Sequence, residues 1–371
     1  MPEERVLKPD INFIRDLRRG GGETLKKCYQ CATCSVVCPI SPEDKPFPRH
    51  QMVMAQWGLK DQLLSSPDIW TCHNCNDCSK YCPRGARPGD VLSAMRQKVI
   101  KENAFPKFMG SLVTDSRFTI FALIIPFLFF LVVLGLTGHL HIPEGRIVYS
   151  HFFPIPYIEG IFMAAVGLAS IFYAVSLNRF WQNMTKATDK PYLKTFGPAF
   201  VETIKEFLFH KKFEKCEANA DRKNGHMLIF YGFVGLAITT IWITIYYYAF
   251  HRHSPISLAD PMKWFGNLSA LALLIGTLII ISNRMKDKGI NSKTSSFDWT
   301  FIILVFLLAV TGILTELIRL ANIPSLAYPM YLVHLTFVFY TIVYFPYSKL
   351  AHMGYRTLAI TFAKMRNWDV E

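Results

Sequence analysis

Eight cysteines stand in two copies of one pattern. The first copy is Cys28, Cys31, Cys34 and Cys38, followed by Pro39; the second is Cys72, Cys75, Cys78 and Cys82, followed by Pro83. Three thiols at two-residue gaps wrap a tight loop around one face of an iron–sulfur cubane, and the fourth, before the proline, ligates the neighbouring cluster. The spacing therefore assigns Cys28, Cys31, Cys34 and Cys82 to one 4Fe–4S cluster. It assigns Cys72, Cys75, Cys78 and Cys38 to another. Zinc closes with four ligands, normally two from each run, which would leave four thiols surplus. A disulfide framework needs an oxidising compartment, and the charge pattern below argues against one. The ninth cysteine, Cys216, lacks partners for a cluster and reads as an ordinary thiol.

The elements that must hold these loops read as helices. A short helix over roughly 10–19 ends at Gly20-Gly21-Gly22, another runs near 49–65, and a third starts at Pro88. In the third, Val91, Leu92, Met95 and Val99 share a face. Residues 1–110 are thus expected to form a small helical ferredoxin-like domain with two clusters. Residues 111–371 differ in composition. The chain is 51% hydrophobic with 30 phenylalanines, and six apolar stretches after residue 117 are each long enough to cross a bilayer. They are about 118–138, 155–178, 226–250, 263–284, 298–320 and 329–352. The expected fold is all-α, a di-cluster ferredoxin-like domain followed by a six-helix transmembrane bundle.

Basic residues orient the bundle. Of 40 Lys and Arg, residues 1–117 hold 18, the 179–225 loop 10, the 284–297 loop 4 and the tail from 349 another 4. The opposite side has only Arg146, Arg252, Lys263 and Arg319. Both termini, both long loops and the clusters are expected on the cytoplasmic side of a multi-pass inner-membrane protein. This sidedness accounts for the net charge of +13, so the basic balance needs no nucleic-acid partner. The start, Met1 to Arg5, has no apolar core segment of the kind a signal peptide carries. Phe196, Phe200, Ile204, Phe207 and Leu208 follow helical spacing among lysines. They form an amphipathic helix expected at the membrane surface or against a partner subunit.

Ionisable groups within a bilayer are functional by default. His334 and His352 lie 18 residues apart on the sixth stretch, five turns of one helix and about 27 Å along its axis. Two imidazoles on one face, one per leaflet, suit two b haems. His226 opens the third stretch at the depth of His352 and pairs with it. His334 lacks an evident partner, with His139 or His151 as candidates, so a single haem is the other arrangement. Glu316, near the outer end of the fifth stretch, with His334 can form the polar end of a quinol slot. Snorkelling and aromatic anchoring by Tyr328 and Tyr331 explain the same residues equally well.

The doubled cysteine block resembles the C subunit of heterodisulfide reductase. The segment from Tyr331 through Phe345, Pro346 and Tyr347 to His352 resembles the last helix of nitrate reductase gamma subunits. In that family two such histidines bind two b haems. One chain joining both halves is most similar to the membrane subunits of quinone-interacting oxidoreductase complexes of sulfate-reducing organisms. The resemblance implies a relay from menaquinol through haem b and two clusters to soluble flavin and iron–sulfur subunits. It implies adenylylsulfate reductase as the final acceptor. Two departures stand out. The third stretch has one histidine where the gamma family has two, and the double-cysteine motif of heterodisulfide catalysis is absent. Two other classes remain open: a heterodisulfide-reductase-like subunit with another acceptor, and a transporter or sensor that uses the clusters as a switch.

Overall fold

The computed structural model describes residues 7–42, 45–114, 118–188, 191–209, 222–286 and 295–366. Cys216 lies outside them. Among the described residues the fold is all-helical, without strands.

The first eight helices are α1 (Ile11–Arg19), α2 (Thr33–Val36), α3 (Arg49–Gln56), α4 (Lys60–Leu64), α5 (Asp68–Thr71), α6 (Asp77–Lys80), α7 (Pro88–Asn103) and α8 (Lys107–Thr114). Asp10 caps α1 by accepting from the Phe13 amide at 2.9 Å, and Phe13 and Leu17 bury its inner face. Proline opens α7 at its first turn, where the missing N–H costs nothing. The helix expected over 49–65 is two helices. Gly58 turns the chain at φ +70° and packs on Asp10, where a Cβ would lie 2.8 Å from the carbonyl oxygen. Only glycine fits there.

The remaining helices are α9 (Thr119–Leu136), α10 (Tyr149–Phe152), α11 (Ile155–Lys186), α12 (Phe196–Phe209), α13 (Arg222–Phe250), α14 (Pro261–Met285), α15 (Ser296–Leu320), α16 (Pro324–Val343) and α17 (His352–Met365). Six of them, α9, α11, α13, α14, α15 and α16, are long and apolar enough to cross a membrane. Asp260 caps α14 and Ser295 caps α15. Helices α13 and α14 approach closely because glycines face the contact. A Cβ on Gly232 would meet the Leu273 amide at 2.9 Å, and one on Gly276 the Gly225 carbonyl at 2.8 Å.

The sixth apolar stretch is not one helix. It stops at Val343, passes through Pro346 and a short 3-10 turn at Lys349–Ala351, and resumes as α17. Proline has no amide to donate and crowds the turn before it. His334 and His352 therefore sit on separate helices, and the five-turn alignment does not hold. His334 lies midway along α16, about 15 Å from its start at 1.5 Å per residue, rather than near its outer end.

One core joins the cluster unit to the base of the bundle. Trp70 of α5 stacks on Tyr355 of α17 (ring centroids 5.5 Å apart) and meets Phe180 of α11 edge-on at 6.1 Å. All three are fully buried. Polar ties reinforce the joint. Arg179 donates to the Ala104 carbonyl at 3.1 Å, Ser176 accepts from the Phe105 amide at 3.1 Å, and Tyr347 donates to the Phe105 carbonyl at 2.7 Å. The amphipathic helix α12 packs on α17. Ala199 and Thr203 are buried and Glu206 pairs with Lys364 at 3.1 Å.

Candidate cluster and cofactor site

The repeated cysteine spacing produces a repeated backbone. In the first loop Gln30 and Ala32 adopt left-handed conformations (φ 62° and 67°). In the second the matching residues, Asn74 and Asn76, do the same (φ 56° and 68°). Such turns aim successive amides at one point. The Asn74 amide donates to Cys72 Sγ at 3.2 Å.

The thiols gather in two sets of four. Burial pushes the Cys34 thiol up to about 11, with Cys28, Cys82 and Cys31 adding negative charge beside it. Burial likewise pushes Cys38 up to about 12, with Cys72, Cys75 and Asp77 adding negative charge beside it. Cys78 is raised well above the ordinary thiol value by burial, then by Cys72, Cys75 and Cys38. Cys38, Cys72, Cys75 and Cys78 line one small pocket with Phe47 and Leu92. Each set thus takes its fourth thiol from the other run. Crowded thiols whose negative form is costly are what bonding to iron relieves, so both sets fit a four-thiolate cluster. Cys31 differs: it is exposed, and a hydrogen bond with Thr33 lowers its pKa.

Beyond the second loop a cavity of about 630 Å³ opens into the bundle. Cys72, His73 and Asn74 line it on the side of the cluster unit, and His226 of α13 and His352 of α17 line it within the bundle. Apolar side chains including Ile229, Phe233, Ile302 and Val305 form the deeper walls. The volume is in the range for an organic cofactor, roughly 300–1,000 Å³. His352 donates from Nδ1 to the Lys349 carbonyl, which leaves Nε2 with its lone pair. That is the tautomer a metal ligand needs. Tyr173 of α11 fixes the turn that carries this histidine, donating to the Ala351 carbonyl and accepting from the Gly354 amide, both at 2.8 Å. Tyr173→Phe removes both bonds and leaves the Gly354 amide unsatisfied. A cost of about 1–3 kcal/mol is expected, read as a lower thermal unfolding midpoint with the helix content unchanged.

The cavity lining carries cations. Arg96, Arg284, Lys349 and Arg356 line it, with Asp298 paired to Lys349. Arg356, one turn beyond His352, donates to the Cys72 carbonyl at 3.3 Å and contacts His73 Nδ1 at 2.9 Å. Arg96 donates to the Ile69 carbonyl at 3.0 Å. An apolar slot lined also by two imidazoles and by cations fits a haem bearing two carboxylates. In the sequence Arg284, Lys349 and Arg356 read only as topology, near the ends of apolar stretches, and Arg96, on α7, carries no further signal.

The other candidates lie apart. His334 Nδ1 contacts Thr311 Oγ1 of α15 at 3.0 Å, and its ring packs on Gly312. It does not line the cavity. His139 follows the end of α9; its Nδ1 is buried without a hydrogen-bond partner among the described residues, and its ring meets Tyr157 edge-on. His151 is exposed in α10. Glu316 is clamped by Lys263 at 2.9 Å and Arg319 at 2.8 Å. Beside it Tyr149 donates to the Thr315 carbonyl at 2.6 Å and stacks on Tyr331 at 4.3 Å.

A family model for citrate utilization protein B matches residues 122–367, well over half of the chain. The chain belongs to the citrate utilization protein B family. In this family member a second model, a 4Fe–4S dicluster domain, matches residues 24–86. Its N-terminal part is similar to the C subunit of the H(2):CoB-CoM heterodisulfide,ferredoxin reductase of Methanothermobacter marburgensis. They are 34% identical over 121 residues, 31% of this chain and 65% of the relative. An Archaeoglobus profundus protein, described as like the C subunit of heterodisulfide reductase, is 33% identical over 115 residues, 31% of this chain and 57% of the relative. The iron–sulfur C subunit of the CoB--CoM heterodisulfide reductase of Methanopyrus kandleri is 33% identical over 84 residues, 23% of this chain and 44% of the relative. The citrate utilization protein B family member thus spans 65% or less of the length of these relatives. No solved structure matches it.

Proposed function

We propose that this chain is a multi-pass membrane electron-transfer subunit of the QmoC type, oxidising menaquinol on behalf of soluble partner subunits. One observation carries the reading: a single cavity holds His226 and His352 inside the bundle and the Cys72 loop on the side of the cluster unit. His226 and His352, two imidazoles in one cavity, would hold one b haem there. The four-thiol groupings support crossed ligation, with Cys28, Cys31, Cys34 and Cys82 on one cluster and Cys72, Cys75, Cys78 and Cys38 on the other. When bound, haem and clusters supply one-electron sites that a quinol can fill in two steps.

The chain's own residues do the remaining work. Arg356 and Arg96 hold the second loop against the cavity, through the Cys72 carbonyl and the Asn74 side chain, and would offer charge to haem carboxylates. The apolar walls exclude water. Away from that cavity, Glu316 lies near the outer end of α15, and His334 meets the same helix deeper, at Thr311, five residues or about 7.5 Å of axis away. With Tyr149 and Tyr331 they offer polar groups at which a quinol can shed protons on the outer side, while the clusters face the cytoplasm. The imbalance of basic residues between the two sides supports that orientation.

The resemblance supports flavin and iron–sulfur subunits as partners and adenylylsulfate reductase as the final acceptor. The second reading, a heterodisulfide-reductase-like complex with another acceptor, draws on the names of the relatives. The soluble subunits that co-purify separate the two. The function itself is tested by adding menaquinol anaerobically to the chain in lipid vesicles. The expected result is the appearance of reduced-cluster electron paramagnetic resonance. Clusters that dithionite reduces but menaquinol does not would refute a quinol-linked role.

A further inference from the structure

The two cysteine loops are not equivalent in their surroundings. The second loop lines the membrane cavity, held by Arg356. Among the described residues, none of the first loop lines that cavity. The first loop instead faces out, and Cys31 is exposed. Around it stand three large, exposed side chains: Tyr29 is 67% exposed, Val36 84% and Tyr81 44%. Helices α2 and α6 pack together, so Val36 and Tyr81 end neighbouring elements.

Basic side chains dominate it among the described residues. Lys26, Lys27, Lys80 and Arg84 are all exposed. Arg84 lies flat over Tyr29, 4.0 Å from the ring centroid, and donates to its hydroxyl at 2.8 Å. This contact draws the rim of the Cys82 turn onto the rim of the Cys28 turn, making one surface from both repeats. Glu23 is the exposed acid nearest in sequence. Aromatic side chains and arginine are the residue types that anchor protein interfaces, and a basic patch steers a partner of opposite sign.

We infer that the basic, aromatic surface formed by Tyr29, Val36, Tyr81, Lys80, Arg84 and the Lys26–Lys27 pair is the docking site for the acidic face of a soluble redox protein. The four-thiol site of Cys28, Cys31, Cys34 and Cys82 beneath it is the exit site, and the site beside the cavity is the entry site. This rests on the reading that both sets hold clusters. Transfer is a one-electron step: the reduced cluster loses one electron, and a flavin acceptor gains that electron with one proton from solvent. The basic sign selects against cationic acceptors, a property that neither the cluster motif nor the fold dictates.

The test uses the full chain in detergent and oxidised flavodoxin, an acidic flavoprotein, as the probe. A carbodiimide joins a lysine amine to a carboxylate as an amide, taking up the released water as a urea. Cross-linked peptides are expected to contain Lys26, Lys27 or Lys80. The double variants Lys80→Glu with Arg84→Glu, and Lys26→Glu with Lys27→Glu, are each expected to slow flavodoxin reduction roughly tenfold at low ionic strength. Raised salt should erase the difference. Arg15→Glu with Arg18→Glu on α1, exposed and of equal charge change, is the control for net charge and should slow the rate less than either patch variant.

Iron and sulfide are counted in every preparation first. Wild-type chain without clusters would defeat the underlying reading and not this one in particular. If clusters are present, cross-links confined to other lysines, or equal slowing by all three double variants, would overturn the docking site. Cross-links at the patch with selective slowing uphold it.

Discussion

His352→Ala is expected to abolish the b-type band in the reduced-minus-oxidised visible spectrum, and His226→Ala to do the same. Both imidazoles line one cavity, and on the proposed reading both would hold the b haem. Loss of a supporting hydrogen bond alone typically weakens metal binding about 10–100-fold; loss of the ligand itself should do at least as much. The two variants should act alike because neither ligand is held by the other's helix. His334→Ala is the contrasting case. Its ring packs on Gly312 and contacts Thr311, outside the cavity, so the spectrum should survive while menaquinol-driven reduction slows. Loss of the band in His334→Ala with retention in His226→Ala would move the haem to α16.

The second large effect is crossed. Cys38→Ala should halve the iron content, from about eight atoms to about four, and leave the same resonance spectrum as Cys75→Ala. Cys82→Ala should instead reproduce Cys31→Ala. The reason is that Cys38 shares a pocket with Cys72, Cys75 and Cys78, while Cys82 adds its charge to Cys28 and Cys34. If each loop kept its own fourth thiol, Cys38→Ala would match Cys31→Ala.

How much of this was legible in the sequence depends on the range of the interaction. The cysteine loops were readable because ligand spacing is a local property, and the structure repeats the same left-handed turns at both copies. The membrane helices were readable because length and apolarity suffice. The break after Val343 was not. Pro346 sits among Tyr344, Phe345 and Tyr347, so hydropathy runs on through a residue that stops the helix. The break at Gly58 was hidden for a different reason: its cause is the approach of Asp10, 48 positions away in the chain. The cations lining the cavity were visible individually. Their convergence with His226 and His352 depends on several helices meeting, which no local pattern encodes.

The depth of His334 shows the cost of such errors. Read as one helix, the stretch 329–352 puts two histidines in register across the bilayer, with two haems expected and one as the other arrangement. Separated, α16 and α17 leave His334 at mid-helix against α15, with His139 and His151 at the far ends of their elements. The one cavity lined by two imidazoles is what the proposed single haem rests on.

The haem count of the purified, cluster-replete chain is the decisive measurement. One b haem per chain alongside about eight cluster irons is the expected result. No haem, or two haems per chain, would contradict a single bis-histidine site.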